Sequence, residues 1–174
     1  LPKAARLKLV RGSSDRLHWR WGRGAGTTVA ELGDPIHGPF YEAFHDFCVF
    51  DESGPGPQLV LSTGAEPVAD LGFCPAASCW RARGSGLLYK TRTPNPLGAT
   101  AMSLTAGATG HSKMQVKAKG SALLVSNGNG SVPPPYGLPL RAQLWARDGA
   151  CFEATFSAAG VHANGASRFD GVSD

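Results

Sequence analysis

The stretch CWRARGSGLLYKT, residues 79–91, governs how the rest of this chain is read. A cysteine stands against a tryptophan, two arginines follow, a Gly-Ser-Gly break interrupts the run, and an apolar pair leads into Tyr89 and Lys90. Three chemistries use such pieces: a reactive thiol, a phosphate-binding glycine loop, and strand pieces bent about glycine and pinned by a disulfide. A phosphate loop needs wider glycine spacing ending in Gly-Lys-Ser/Thr ahead of a helix, and no helical period follows here. A catalytic cysteine needs a base and an electropositive pocket, whereas Cys79 has a simpler partner in Cys74. Trp80, Leu87 and Leu88 suit strand packing, and Gly84 and Gly86 mark a bulge or tight bend between two strand pieces. The stretch predicts β-structure with a structural cysteine.

The segments on either side agree, because successive strand side chains point to opposite faces. RLHWRW, residues 16–21, puts Leu17, Trp19 and Trp21 on one side and Arg16, His18 and Arg20 on the other. SKMQVKAK, residues 112–119, sets Met114, Val116 and Ala118 against Lys113, Gln115, Lys117 and Lys119. Its lysine row reads as a solvated edge strand that discourages sheet-to-sheet pairing. Residues 40–51 hold apolar groups at both parities, the pattern of a strand inside a sandwich, and residues 58–62 form another strand. RAQLWAR (141–147) and CFEATFS (151–157) flank a turn at residues 148–150 and predict a hairpin. Residues 22–39, with five glycines and two prolines, read as a long loop with at most a brief strand near 27–32. With Gly 23 and Pro 13 among 174 residues, long helices are not expected. The length suits one core. The prediction is a single all-β domain over residues 1–174, an antiparallel β-sandwich of the jelly-roll kind.

Charge and cysteines bound the function. The net charge of +4 comes from 17 Lys and Arg against 13 Asp and Glu, and along the chain the cations read as scattered rather than massed. The nearest basic, aromatic-interleaved patch is Arg16, His18, Trp19, Arg20, Trp21 and Arg23, and the low charge density argues against a nucleic-acid partner. No run of about 20 apolar residues is present, so no membrane-spanning helix is expected. Four cysteines in a Gly/Pro-rich β chain point to an oxidising, extracytoplasmic setting. The pairings expected are Cys74 with Cys79 across their short loop and Cys48 with Cys151 across strands.

Catalytic motifs are missing. Five dispersed histidines show no HxH or HExxH spacing, no carboxylate pair is singled out for glycoside hydrolysis, and Gly84-Ser85-Gly86 is not a Gly-x-Ser-x-Gly elbow. A polysaccharide copper oxidase that uses an amino-terminal histidine is not expected of a sequence read from Leu1, unless the natural start differs. His37 and His45 with Asp34 or Asp46 form the one metal candidate among the histidines, and no cofactor is expected. Calcium is carried only as a reading of Asp51 and Glu52, set beside the simpler one of a solvated acidic turn.

The order RLHWRW, GDP, YxxFxxFCVFD, CWRxxGSGLLYK, KMQVKAKG, PLRAQL, CFEATFS and FDGVSD resembles a β-rich domain at the C-terminal end of large uncharacterised secreted or surface proteins of bacteria. The match covers nearly the whole chain and falls on Trp19, Trp21, Cys79, Trp80, Tyr89, Cys151, Phe152, Glu153, Ala154 and Thr155. Trp145 and the segment from His37 to His45 depart from it. The resemblance implies a secreted or surface location and a modular accessory role, with no activity to carry over. The residues themselves point to a non-catalytic binding module for carbohydrate. Trp145 lies on the polar side of its strand with Arg141, Gln143 and Arg147, and Tyr136 and Tyr41 are placed to join it, since aromatic rings stack on sugar rings. The alternatives are a structural or self-assembling surface domain that contacts its neighbours through exposed edges, and a secreted enzyme.

Overall fold

The computed structural model describes residues 5–36, 45–65, 79–95, 97–120, 123, 134–146 and 149–174. Twelve strands among them form two antiparallel sheets stacked as a sandwich. In chain order they are β1 (Ala5–Val10), β2 (Arg16–Gly22), β3 (His45–Asp51), β4 (Gln58–Ala65), β5 (Trp80–Arg83) and β6 (Gly86–Lys90). They continue with β7 (Ala99–Thr105), β8 (Lys113–Lys119), β9 (Leu140–Ala146), β10 (Cys151–Phe156), β11 (Val161–Gly165) and β12 (Arg168–Val172). The larger sheet has the order β11-β12-β1-β2-β8-β7-β6-β5, and the smaller has β10-β9-β3-β4. The chain is jelly-roll-like in that it passes back and forth between the sheets: β1 and β2 in the larger, β3 and β4 in the smaller, then β5 to β8, β9 and β10, β11 and β12 in turn.

Strict alternation gives each sheet one dry face. On the larger sheet Leu7, Leu9, Trp19, Met102, Leu104, Met114, Val116 and Phe169 are buried, and on the smaller sheet Phe47, Val49, Leu61, Ala142, Leu144 and Phe156 meet them. Aromatic pairs cross the interior at several points. Trp19 lies 5.0 Å from Phe47, Trp21 lies 5.6 Å from Phe152, and Phe169 meets Phe156 edge-on at 6.3 Å. Tilted and edge-on geometry suits the ring quadrupoles and adds to the stabilisation from burial. At the β5 end, Trp80 bridges His45 at 4.6 Å and Tyr89 at 5.3 Å. The buried His45 Nε2 is 2.8 Å from the Leu32 carbonyl, tying a one-turn 3₁₀ segment (Ala30–Leu32) to β3. That segment and the Thr27–Gly107 bridge replace the brief strand expected at 27–32.

The quoted stretch 79–91 is β5 and β6, joined as a hairpin by Gly84 and Ser85 rather than as one bent strand. Gly84 has φ +56°, a left-handed conformation available to glycine without the Cβ clash other residues meet, so it is the residue that permits the reversal. The lysine-rich β8 is not an edge. It lies between β2 and β7, and its lysines stand out from the middle of the larger sheet. The edge reading failed because polar alternation shows that a face is solvated, not which strands lie beside it. The hairpin β11–β12, unforeseen in the sequence, completes the opposite end of that sheet.

The Cys48–Cys151 disulfide expected from the sequence does not form: both are free thiols. Cys48 is on β3 and Cys151 on β10, with β9 between them. Two inter-strand spacings of about 4.8 Å place their backbones beyond the roughly 7 Å that a disulfide can bridge. Cys79 is buried and is a bonded sulfur rather than a free thiol, while its expected partner Cys74 lies outside the described residues.

Candidate functional site

Three cross-strand rows form the outer face of the smaller sheet. Cys151, Trp145 and Asp46 make one, Glu153, Gln143, Cys48 and Ser62 the next, and Thr155, Arg141 and Phe50 the third. Trp145 is 58% exposed, the most open large apolar side chain among the described residues. It pairs across β9 and β10 with Cys151, and its side chain stands open to solvent. Beside it, Gln143 Nε2 donates to Glu153 Oε2 at 3.0 Å. Arg141 donates through Nε to Glu52 Oε1 at 2.6 Å and sits 5.2 Å above the Phe50 ring, a cation–π contact that helps fix the guanidinium. The result is an exposed ring bordered by fixed hydrogen-bonding groups.

The structure thus brings Trp145, Arg141 and Gln143 together as the sequence suggested and adds Glu153, which sequence reasoning had not assigned to the patch. The strand pairing of β9 with β10 is the signal that places it there. Tyr136 does not belong to this face. It is buried against Phe169, ring centroids 6.0 Å apart, and its backbone is fastened to Asn164 at 2.9 Å, so it is a core residue at the β12 end. The apolar ring gains more from a closed contact than from display on a proline-rich loop. Arg147 and Tyr41 lie outside the described residues.

The thiols flanking Trp145 are held protonated. Burial pushes Cys48 up to about 11, with Asp46 and Cys151 adding to the shift. Burial also raises Cys151, aided by Glu153 and partly opposed by the Trp145 indole and Arg141. Such thiols are poor nucleophiles at neutral pH, because the thiolate is the reactive form. The carboxylates read for calcium are engaged by the chain itself. Asp51 Oδ1 accepts from Ser53 N at 2.9 Å and Ser53 Oγ at 2.6 Å, Asp51 Oδ2 accepts from Gly137 N at 2.6 Å, and Glu52 holds Arg141. Among the described residues no group of three or more His, Cys, Asp and Glu side chains is placed to hold a metal ion. His37, half of the histidine candidate, lies outside those residues.

The larger sheet presents a different surface. Its strands carry eleven Lys and Arg and a single carboxylate, Asp170, whereas the strands of the smaller sheet carry one Arg and three carboxylates. Register draws the cations into rows on the outer face. Lys8, His18, Lys117, Ala101 and Lys90 form one row, and Arg6, Arg20, Gln115, Ser103, Leu88 and Arg81 the next. A depression of about 570 Å³ opens on this face among Arg6, Arg20, Arg23, Lys113, Ser103 and Thr105, and a smaller one of about 220 Å³ among Arg6, Lys8, His18 and Arg20. The cations that read as scattered along the chain are therefore massed in space. Their signal was present in RLHWRW and KMQVKAK, where every cation falls opposite the apolar parity. Comparison with protein-family models, curated proteins and solved structures gives no match to this chain.

Proposed function

We propose that this protein is a non-catalytic extracellular binding module that takes carbohydrate on the outer face of its smaller sheet, as an accessory domain of a larger secreted or surface protein. The observation that carries the reading is Trp145, displayed on an otherwise polar strand face. An isolated indole in water gains from covering its ring, and the C–H face of a sugar covers it while the sugar hydroxyls meet Glu153 and Arg141, with the buried Gln143 holding Glu153 in place. The neighbouring thiols are too high in pKa to supply a nucleophile near neutral pH, which favours binding over catalysis at this face. The secreted setting rests on the sequence resemblance and on the bonded state of Cys79.

Depletion assays against insoluble and soluble polysaccharides test the reading, with tryptophan fluorescence as the second measurement. Trp145→Ala should weaken binding by about tenfold or more, in line with about 1–3 kcal/mol for loss of a stacked ring, while Trp145→Phe retains part of it. Failure of the native protein to bind any neutral glycan would remove the proposal. The alternative is self-association through β10 and β4, the outermost strands of the smaller sheet among the described residues. Sedimentation showing concentration-dependent oligomers that Thr155→Pro on β10 or Leu59→Pro on β4 abolishes, and Trp145→Ala does not, would favour it.

A further inference from the structure

We infer that the outer face of the larger sheet is a second, separate binding surface, for a linear acidic polysaccharide. Charge complementarity commits the occupant: eleven cations against one carboxylate on a single sheet make a positive field that a chain of carboxylate or sulfate groups neutralises. That carboxylate, Asp170, is already held by Arg6 at 3.1 Å and by Arg168, and it is the only acidic residue on the strands of this sheet among the described residues. Most of the cations remain open to an outside anion, among them Arg20, Lys113 and Lys117, all exposed.

The same face argues against other polyanions. Nucleic-acid strands bound by sheets are held by displayed aromatics on which bases stack. Here alternation turns Trp19 and Trp21 of the RLHWRW segment inward, Trp21 lining the larger depression but only 9% exposed, and leaves Arg16, His18 and Arg20 outside. Among the described residues no helix or projecting ribbon stands on the sheet to enter a duplex groove. Lipid surfaces are gripped by apolar side chains set among the cations, but Val29, Leu97 and Trp145, the exposed large apolar residues among those described, all lie off this sheet. Between the cations stand Ser103, Thr105 and Gln115, groups that hydrogen-bond to sugar hydroxyls. Cations two residues apart along a strand repeat at about 6.6 Å and face neighbours about 4.8 Å away across it, so a lattice of charge meets an extended chain laid over it.

The experiment measures binding of the intact protein to polygalacturonate and to dextran sulfate, with neutral dextran, duplex DNA and phosphatidylglycerol vesicles alongside, over a salt series. Retention on one or both acidic glycans and not on neutral dextran is expected, weakening steeply as salt rises. The two glycans separate a carboxylate from a sulfate ligand. Arg20→Gln/Lys117→Gln should lower affinity about tenfold and flatten the salt dependence, while Arg11→Gln/Arg92→Gln, with the same loss of net charge outside the strands and depressions of this sheet, should change it less than about twofold. Thermal unfolding of both double variants checks that they fold, and Trp145→Ala should leave this binding intact. Equal losses in the two double variants, tighter binding to duplex DNA or vesicles at matched salt, or no retention on either glycan would each overturn the inference.

Discussion

His18 stands at the centre of the basic face, with its Nε2 2.9 Å from Gln115 Nε2. Burial, and then Lys117, Arg20, Lys8 and Arg6, hold its imidazole below the ordinary histidine value of 6.5. The folded protein therefore binds this proton more weakly than the unfolded chain, so stability is full above the ordinary value and declines as pH falls from it towards the folded one. His18→Gln should flatten that part of a melting-temperature profile between about pH 5 and 7. A bound polyanion should shift the His18 midpoint upward in an NMR titration, since it offsets the cations responsible. Asp170 behaves oppositely. Burial raises its carboxyl, but the hydrogen bonds and charges of Arg168 and Arg6 outweigh it and hold the pKa below 3.8. Its contribution is present above about pH 4 and is lost as pH falls through the lowered folded value. Asp170→Asn should cost about 1 kcal/mol at pH 7, kept small because both arginines are about half in solvent, and the gap to the native protein should close in acid denaturation curves below about pH 4. On the other face, alkylation followed by mass spectrometry should show Cys151 modified before Cys48, both slowly at pH 7 and faster as pH rises, because Cys151 is exposed and Cys48 only partly so. Trp145→Phe removes the indole N–H and should slow the Cys151 reaction further.

At the scale of elements, the β5–β6 hairpin shows how one residue sets a register. Trp80 faces Tyr89 and Arg83 faces Gly86 only because the chain reverses in two residues at Gly84 and Ser85. A β-branched residue at Gly84 meets no neighbouring atom but must adopt φ +56°, so Gly84→Val should destabilise by about 1–2 kcal/mol through backbone strain alone, measurable by chemical denaturation. The strand pieces were legible in Trp80, Leu87 and Leu88, and the glycines marked a bend. Whether that bend is a bulge within one strand or a turn between two depends on where β6 finds its other partner, β7, which is a long-range choice. The β9–β10 hairpin was readable for a local reason: its apolar positions alternate on both sides of a short turn, and the structure pairs Trp145 with Cys151 and Leu140 with Phe156. The β11–β12 hairpin was not, because VHANG has little apolar alternation and its strand is only half-buried at the rim.

For the whole molecule, the two sheets carry opposite outer characters around one shared interior. The Trp19–Phe47 contact lies in that interior, and Trp19→Ala should cost about 3–5 kcal/mol and lower the cooperativity of unfolding, as both sheets lose a fully buried contact. Charge should divide the same way: the acidic-glycan affinity follows Arg20 and Lys117, while neutral-glycan affinity follows Trp145. Much of this was legible because the alternation of a strand has period two and is decided by adjacent residues, so which side chains face inward could be taken from RLHWRW, KMQVKAK, RAQLWAR and CFEATFS alone. Trp145 stood out for the same reason, as an aromatic at the polar parity. Strand neighbours are set by crossovers between distant segments, and only the folded arrangement decided those. It put β8 at the centre instead of the edge, gathered eleven cations from six strands onto one face, buried Tyr136 against Phe169, and slid β9 between Cys48 and Cys151 so that two sulfurs expected to join stand on non-adjacent strands.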